Sequence, residues 1–257
     1  MKKFRFILLL LFLFIPFIVK GETVGISNTD INSITFGDDW AIVTRDNYKE
    51  VLANYGFSDT DITNTYSKWT VNSYYMDAFT KDFSKEIFLI YKKESSDVDN
   101  MSSLSDSDIV KETSELRSKF EAYNAKEDIY NADGVKYLKM SYKDSSLNIY
   151  VIDYITIVNN YLYQFKVQKN SSEFTDSEIN EIEGIISSTK YDVNSVDNND
   201  ENNSDDNMVI SPNPNKDKGD SSINSILIGT IVGAIVGAVI GIIIKLSNNK
   251  KNKNNNL

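Results

Sequence analysis

The strongest constraint in this chain is a run of 19 residues, 226–244, with no charge and with Thr230 as its only polar side chain. At about 1.5 Å per residue a helix of that length spans roughly 28 Å, the thickness of a bilayer's hydrocarbon core. Lys245, Lys250, Lys251 and Lys253 follow it, which by the positive-inside tendency places the tail in the cytoplasm. A second apolar run, the 14 residues 6–19, follows Lys2, Lys3 and Arg5 and is interrupted by Pro16. It is too short to span and reads as a secretory signal peptide cleaved near Gly21. The expectation is a single-pass type I protein of the cell membrane. Residues 1–21 are the signal peptide, 22–191 an extracytoplasmic domain, 192–224 a linker, 225–246 a transmembrane helix and 247–257 a basic cytoplasmic tail.

Composition narrows the chemistry. There is no Cys and no His, which excludes disulfides, thiol catalysis, lipid attachment through cysteine, Ser-His-Asp chemistry and His-ligated metal. The formal charge is −10, unlike a nucleic-acid binder, which would be basic. Four basic residues and no acid stand at each end (Lys2, Lys3, Arg5 and Lys20; then the four tail lysines), so the −10 becomes −18 for the part between. Neither a metal nor a cofactor is expected.

Within the span, Gly229, Gly233, Gly237 and Gly241 recur every fourth residue. That spacing keeps them on one slowly turning face, where two backbones can approach closely, so the expectation is a helix-packing stripe supporting a homo-oligomer. A sortase signal is disfavoured because Pro214 stands where its Thr would be in 211–215. Residues 192–207 are almost entirely Asp, Asn, Glu and Ser; so little apolar surface cannot offset ordering entropy, and the linker is expected to be disordered. Its acids lack the Gly and spaced Glu of an EF-hand loop, so a tether is favoured over a Ca²⁺ site.

Residues 22–191 contain no proline and mix strand and helix signals. Strands are expected at 33–36, 41–44, 74–80, 86–93, 129–130, 135–142, 147–158 and 161–168, and helices at 47–55 and 59–68. Asp133-Gly134 and Asn159-Asn160 mark tight hairpins. In the last strand Tyr161, Tyr163, Phe165 and Val167 share one face and Gln164, Lys166 and Gln168 the other. Ser105 with Asp108 opens a helix whose apolar stripe is Ile109, Leu116, Phe120 and Tyr123. Thr175 with Glu178 caps a closing helix bearing Ile179, Ile182 and Ile186, with Phe174 and Ile179 as a staple. The fold class is α+β, a mostly antiparallel sheet flanked by helices as an α-β-α sandwich, plus the C-terminal transmembrane helix.

The order of these signals carries a resemblance. A short strand, the turn into Asp39-Trp40, a helical stretch and the strand at 86–91 come first. A long helix, the strands around 134–138, 154–157 and 163–165, and a closing helix opened by Phe174-Thr175 and ended at 185–188 follow. Across most of 32–191 this resembles the PsbP/Mog1-like α-β-α sandwich, as found in exported and membrane-anchored proteins of low-GC Gram-positive bacteria. That family includes a photosystem-associated subunit and a partner of a small GTPase. The resemblance therefore implies binding or assembly more than catalysis, and it transfers no catalytic motif.

Three constellations stand out. Trp40, Trp69, Tyr74 and Tyr75 lie in an aromatic-rich region that is either a surface for a protein or glycan partner or a filled core. Asp38, Asp39, Asp82 and Glu86 would serve a hydrolase of wall glycan or peptide if two of them converged in a cleft. Ser187-Ser188-Thr189-Lys190 matches Ser-x-x-Lys but closes a helix and lacks the companion motifs. The expectation is a non-enzymatic membrane-tethered domain with an extracytoplasmic protein or wall partner. The alternative is the carboxylate hydrolase.

Overall fold

The computed structural model describes residues 21–93, 98–114, 118, 120–170 and 172–192. Its elements run β1 (Glu22–Val24), β2 (Ile31–Phe36), β3 (Trp40–Thr44), α1 (Tyr48–Asn54), α2 (Asp59–Val71), β4 (Tyr74–Thr80) and β5 (Lys85–Lys93). They continue with α3 (Asp106–Glu112), β6 (Lys126–Ala132), β7 (Val135–Asp144), β8 (Ile149–Val158), β9 (Tyr161–Asn170), α4 (Asp176–Ser187) and β10 (Lys190–Tyr191). The segments expected to be the signal peptide, the linker and the transmembrane helix with its glycine stripe lie outside the described residues, apart from Gly21 and Asp192 at their edges. Among the described residues no helix is long and apolar enough to cross a membrane.

Seven strands form one antiparallel sheet in the order β3-β4-β5-β9-β8-β7-β6. The β5–β6 connection carries the chain to the far edge, and the β6–β9 meander returns it to β5. The two hairpins expected from sequence have the dihedrals a two-residue turn demands. Asp133 and Gly134 sit at φ 50° and 85°, Asn159 and Asn160 at 52° and 66°, matching the twist of the flanking strands. Among the described residues β3 is the edge of the sheet, and the Asn47 amide takes the place of a neighbouring strand. Its oxygen accepts from the Thr44 backbone N–H at 2.7 Å, and its nitrogen donates to the Ile42 carbonyl at 3.1 Å, which leaves that edge less open to another chain.

Both faces of the sheet are covered. On one, α4 and the small sheet β1-β2-β10 pack onto Trp40, Ile42, Met76, Leu89, Tyr154, Phe165 and their neighbours through Ile34, Phe36, Ile182, Ile185 and Ile186. The Thr175–Glu178 capping box forms in full. Three lysines of the sheet reach α4: Lys169 meets Glu178 and Lys139 meets Glu183, each at 2.7 Å, and Lys85 meets Glu181. On the other face, α1 and α2 bring Leu52, Ile62 and Trp69 down on β3–β5. The β5–β6 connection brings Met101, Ile109 and Phe120 down on β7–β9.

The differences from the sequence reading are local. β1 and β10, of three and two residues, are too short to carry a periodic signal. The helix capped by Ser105 holds Ile109 in the core, but Tyr123 lies in a 3-10 turn closed by left-handed Asn124 and is exposed. Leu116 lies outside the described residues.

Candidate functional site

The aromatic residues named from sequence do not form a platform. Trp40, Trp69 and Tyr74 are 3%, 1% and 6% exposed. Trp40 packs under α4 and donates its indole N–H to Glu181 at 2.8 Å, while Trp69 and Tyr74 pack on the opposite face. Filling two helix–sheet interfaces takes these large rings out of contact with a partner. Tyr75 alone is half-buried, with the Arg45 guanidinium 3.7 Å over its ring.

The four named carboxylates are separated too. Asp38 and Asp39 are exposed on the β2–β3 turn, and Asp82 is exposed on the β4–β5 turn, where its carboxylate accepts from the Ser84 N–H and hydroxyl. Glu86 is 1% exposed. The Ser-x-x-Lys residues are engaged apart, Ser187 with Tyr130 and the Glu183 carbonyl, Lys190 with Asp133.

A different polar group converges instead. On the face shared by α1, α2 and the β5–β6 connection, the two apolar clusters are divided by a buried polar strip. Cross-strand register aligns Asp77, Phe88, Lys166 and Asp153 in one row, with Glu86 and Gln168 paired in the adjacent row. Asp77, Glu86, Asp153, Gln164, Lys166 and Gln168 are all 5% exposed or less. Asp153 accepts from Gln164 at 2.8 Å and from the Tyr142 hydroxyl at 3.0 Å, and Glu86 accepts from Gln168. Lys166 forms no ion pair among the described residues.

Electrostatics mark Asp77 and Glu86 as a unit. Burial pushes the Asp77 carboxyl up to about 7, opposed by its hydrogen bond with Glu86. Glu86 is pushed well above the carboxylate range, first by burial and then by the Asp77 charge. Burial raises the Tyr74 phenol, and Asp77, Glu86 and Asp153 raise it further, so all three carboxyls bear on one hydroxyl. Among the described residues no three acidic side chains are grouped to hold a metal ion.

At the far end of the sheet lies an open groove of about 370 Å³. Tyr123, Tyr142, Tyr150 and Phe174 supply its aromatic walls, Lys126 and Lys143 its cations and, among the described residues, Glu173 its one carboxylate. The Lys143 ammonium stands 5.0 Å from the centre of the Tyr150 ring, close enough for a cation–π attraction. The groove and the strip meet at Tyr142, whose ring lines the groove and whose hydroxyl binds Asp153.

Sequence reasoning named Glu86 but missed Asp77 and Asp153. The signal was present: each is a lone charge inside an apolar strand, in Tyr-Tyr-Met-Asp-Ala-Phe-Thr (74–80) and Val-Ile-Asp-Tyr-Ile (151–155).

No protein-family model matches the chain, and no curated protein matches it. Solved structures do. The chain is similar to cyanobacterial PsbP (CyanoP) from Synechocystis sp. PCC 6803, with 11% identity and a TM-score of 0.42, over 68% of this chain and 95% of that one. It is also similar to a protein from Bacteroides thetaiotaomicron VPI-5482, with 10% identity and a TM-score of 0.35, over 62% of this chain and 44% of that one.

Proposed function

We propose that the chain is a membrane-tethered extracytoplasmic binding domain without catalytic activity, presenting the aromatic and lysine-lined groove to a protein or wall partner. One observation carries this reading. The carboxyls that converge, Asp77 and Glu86, are buried under the helix-covered face, while the open groove is lined by aromatic rings and two lysines with a single carboxylate, Glu173, among the described residues. Hydrolysis by a carboxylate pair needs both groups at a cleft that a polymer can enter, whereas recognition needs aromatic area and a few placed charges. The apolar run at 226–244 supports the tether, and Gly229, Gly233, Gly237 and Gly241 within it support self-association.

The test is site-specific photo-crosslinking of the full-length protein in its native membrane. The crosslinker is placed at Tyr150 in the groove, or at Val71, the most exposed large apolar side chain of the described residues, as control. A discrete adduct from position 150, absent from position 71 and lost on Lys143→Glu, is expected. Equal capture from both positions would refute the groove. Release of wall fragments by the purified protein, abolished by Glu86→Gln, would establish the hydrolase instead.

A further inference from the structure

Five buried side-chain atoms among the described residues have no hydrogen-bond partner, and four lie on one face of the sheet: Trp69 Nε1, Asp77 Oδ1, Glu86 Oε1 and Gln164 Oε1. Leaving a buried polar atom unpaired costs on the order of 1–3 kcal/mol, so a cluster of four is a heavy load for one domain. Two of the four belong to Asp77 and Glu86, which the β4–β5 register sets diagonally on one face, within side-chain reach of each other. If both were ionised, neither could donate to the other. One proton held between them supplies the missing donor to both oxygens and removes one of two like charges from a buried site.

We propose that the Asp77–Glu86 pair is a proton-held latch, in which a proton retained on the pair keeps the α1–α2 layer seated and its loss at alkaline pH lets that layer lift. The surroundings leave few other sources of compensation. From β4 the Tyr74 phenol faces the pair, and from β9 come the Gln168 amide, already on Glu86, and the Lys166 ammonium, in the same row as Asp77 but beyond Phe88. From β8 comes Asp153, a third carboxyl, whose own partners are Gln164 and the Tyr142 hydroxyl of β7. The covering helices contribute Leu52, Ile62, Thr65 and Trp69, none of them charged. Lys166 is thus the one cation among these residues, set against three carboxyls. The layer that bears the cost of ionisation is the one whose Trp69 indole N–H also lacks a partner.

The sign follows from linkage. Asp77 ordinarily titrates near 3.8 and is raised to about 7 in the fold, so between those values the folded chain holds a proton that the unfolded chain has released. Stability from the pair is complete below about pH 4 and is lost as pH rises through about 7, by up to about tenfold in the folding constant per pH unit.

The experiment is hydrogen exchange by mass spectrometry on the full-length chain at pH 6 and pH 8.5, corrected for intrinsic rates. It compares residues 48–71 with residues 176–187 of α4. Protection of 48–71 is expected to fall at least about tenfold between the two pH values, while 176–187 holds. Asp77→Asn together with Glu86→Gln, which leaves neither carboxyl to titrate, is expected to abolish the fall. Protection of 48–71 that does not change with pH, or that falls equally in this double variant, would overturn the latch. Should the double variant not fold, urea unfolding of the unaltered chain decides: stability declining from pH 5 to 8 supports the latch, and a flat profile overturns it.

Discussion

Removing the Glu181 carboxylate tests how α4 is held to the sheet. It accepts from the Trp40 indole at 2.8 Å and pairs with the Lys85 ammonium, whose side chain is 9% exposed against 34% for Glu181. Glu181→Ala therefore leaves a buried indole N–H unpaired, at about 1–3 kcal/mol, and strands a cation. Breaking one partner of a fully buried pair costs roughly 3–5 kcal/mol, and the exposure of Glu181 reduces that share. A combined loss of about 3 kcal/mol is expected, equivalent to a drop of roughly 6–12 °C in Tm for a domain of this size. Glu181→Gln keeps an acceptor for Trp40 and loses the ion pair, so about 1–2 kcal/mol is expected. Lys85→Met combined with Glu181→Leu removes both charges together and is expected to recover part of the loss. The assay is urea unfolding of the full-length chain followed by tryptophan fluorescence. A Glu181→Ala cost below about 0.5 kcal/mol, the range of an ordinary surface change, would refute this account of the α4 interface.

Three further outcomes are expected. Thr175→Ala removes the capping box of α4 and should cost about 1 kcal/mol by the same assay. Burial tends to raise the Glu178 carboxyl, but the bonds from Lys169 and Thr175 win and lower it to about 2, so its contribution is present above about pH 4.5 and lost as pH falls through about 2. Acrylamide should quench the folded protein weakly, because both tryptophans are at most 3% exposed; strong quenching before urea unfolding would restore the platform reading of Trp40 and Trp69.

Most of the architecture was legible because it is written in periods and turns. The alternation in β9, the paired left-handed residues at 133–134 and 159–160, and the caps at Ser105 and Thr175 all form in the structure. The site was not legible for a related reason. Alternation separates Gln164, Lys166 and Gln168 from Tyr163, Phe165 and Val167, and polar residues on one face ordinarily signal solvent. Here a second layer covers that face, so the polar residues became a buried strip. Nothing in the spacing of Asp77 and Glu86 reveals that β4 and β5 set them diagonally on one face, because that follows from hairpin register. Trp69 and Tyr74 were ambiguous because core and binding surface recruit the same residues.

Carboxyl footprinting tests the central claim most directly. The folded full-length chain is treated with a carbodiimide and an amine nucleophile, and labelling rates are read residue by residue by mass spectrometry. Asp38, Asp39 and Asp82 should label as fast as in the unfolded chain, while Asp77, Glu86 and Asp153, all 3% exposed or less, should remain protected until the domain opens. Labelling of Glu86 at the rate of Asp82 in the folded protein would mean that the converging carboxylates stand open to substrate, and would contradict the binding reading.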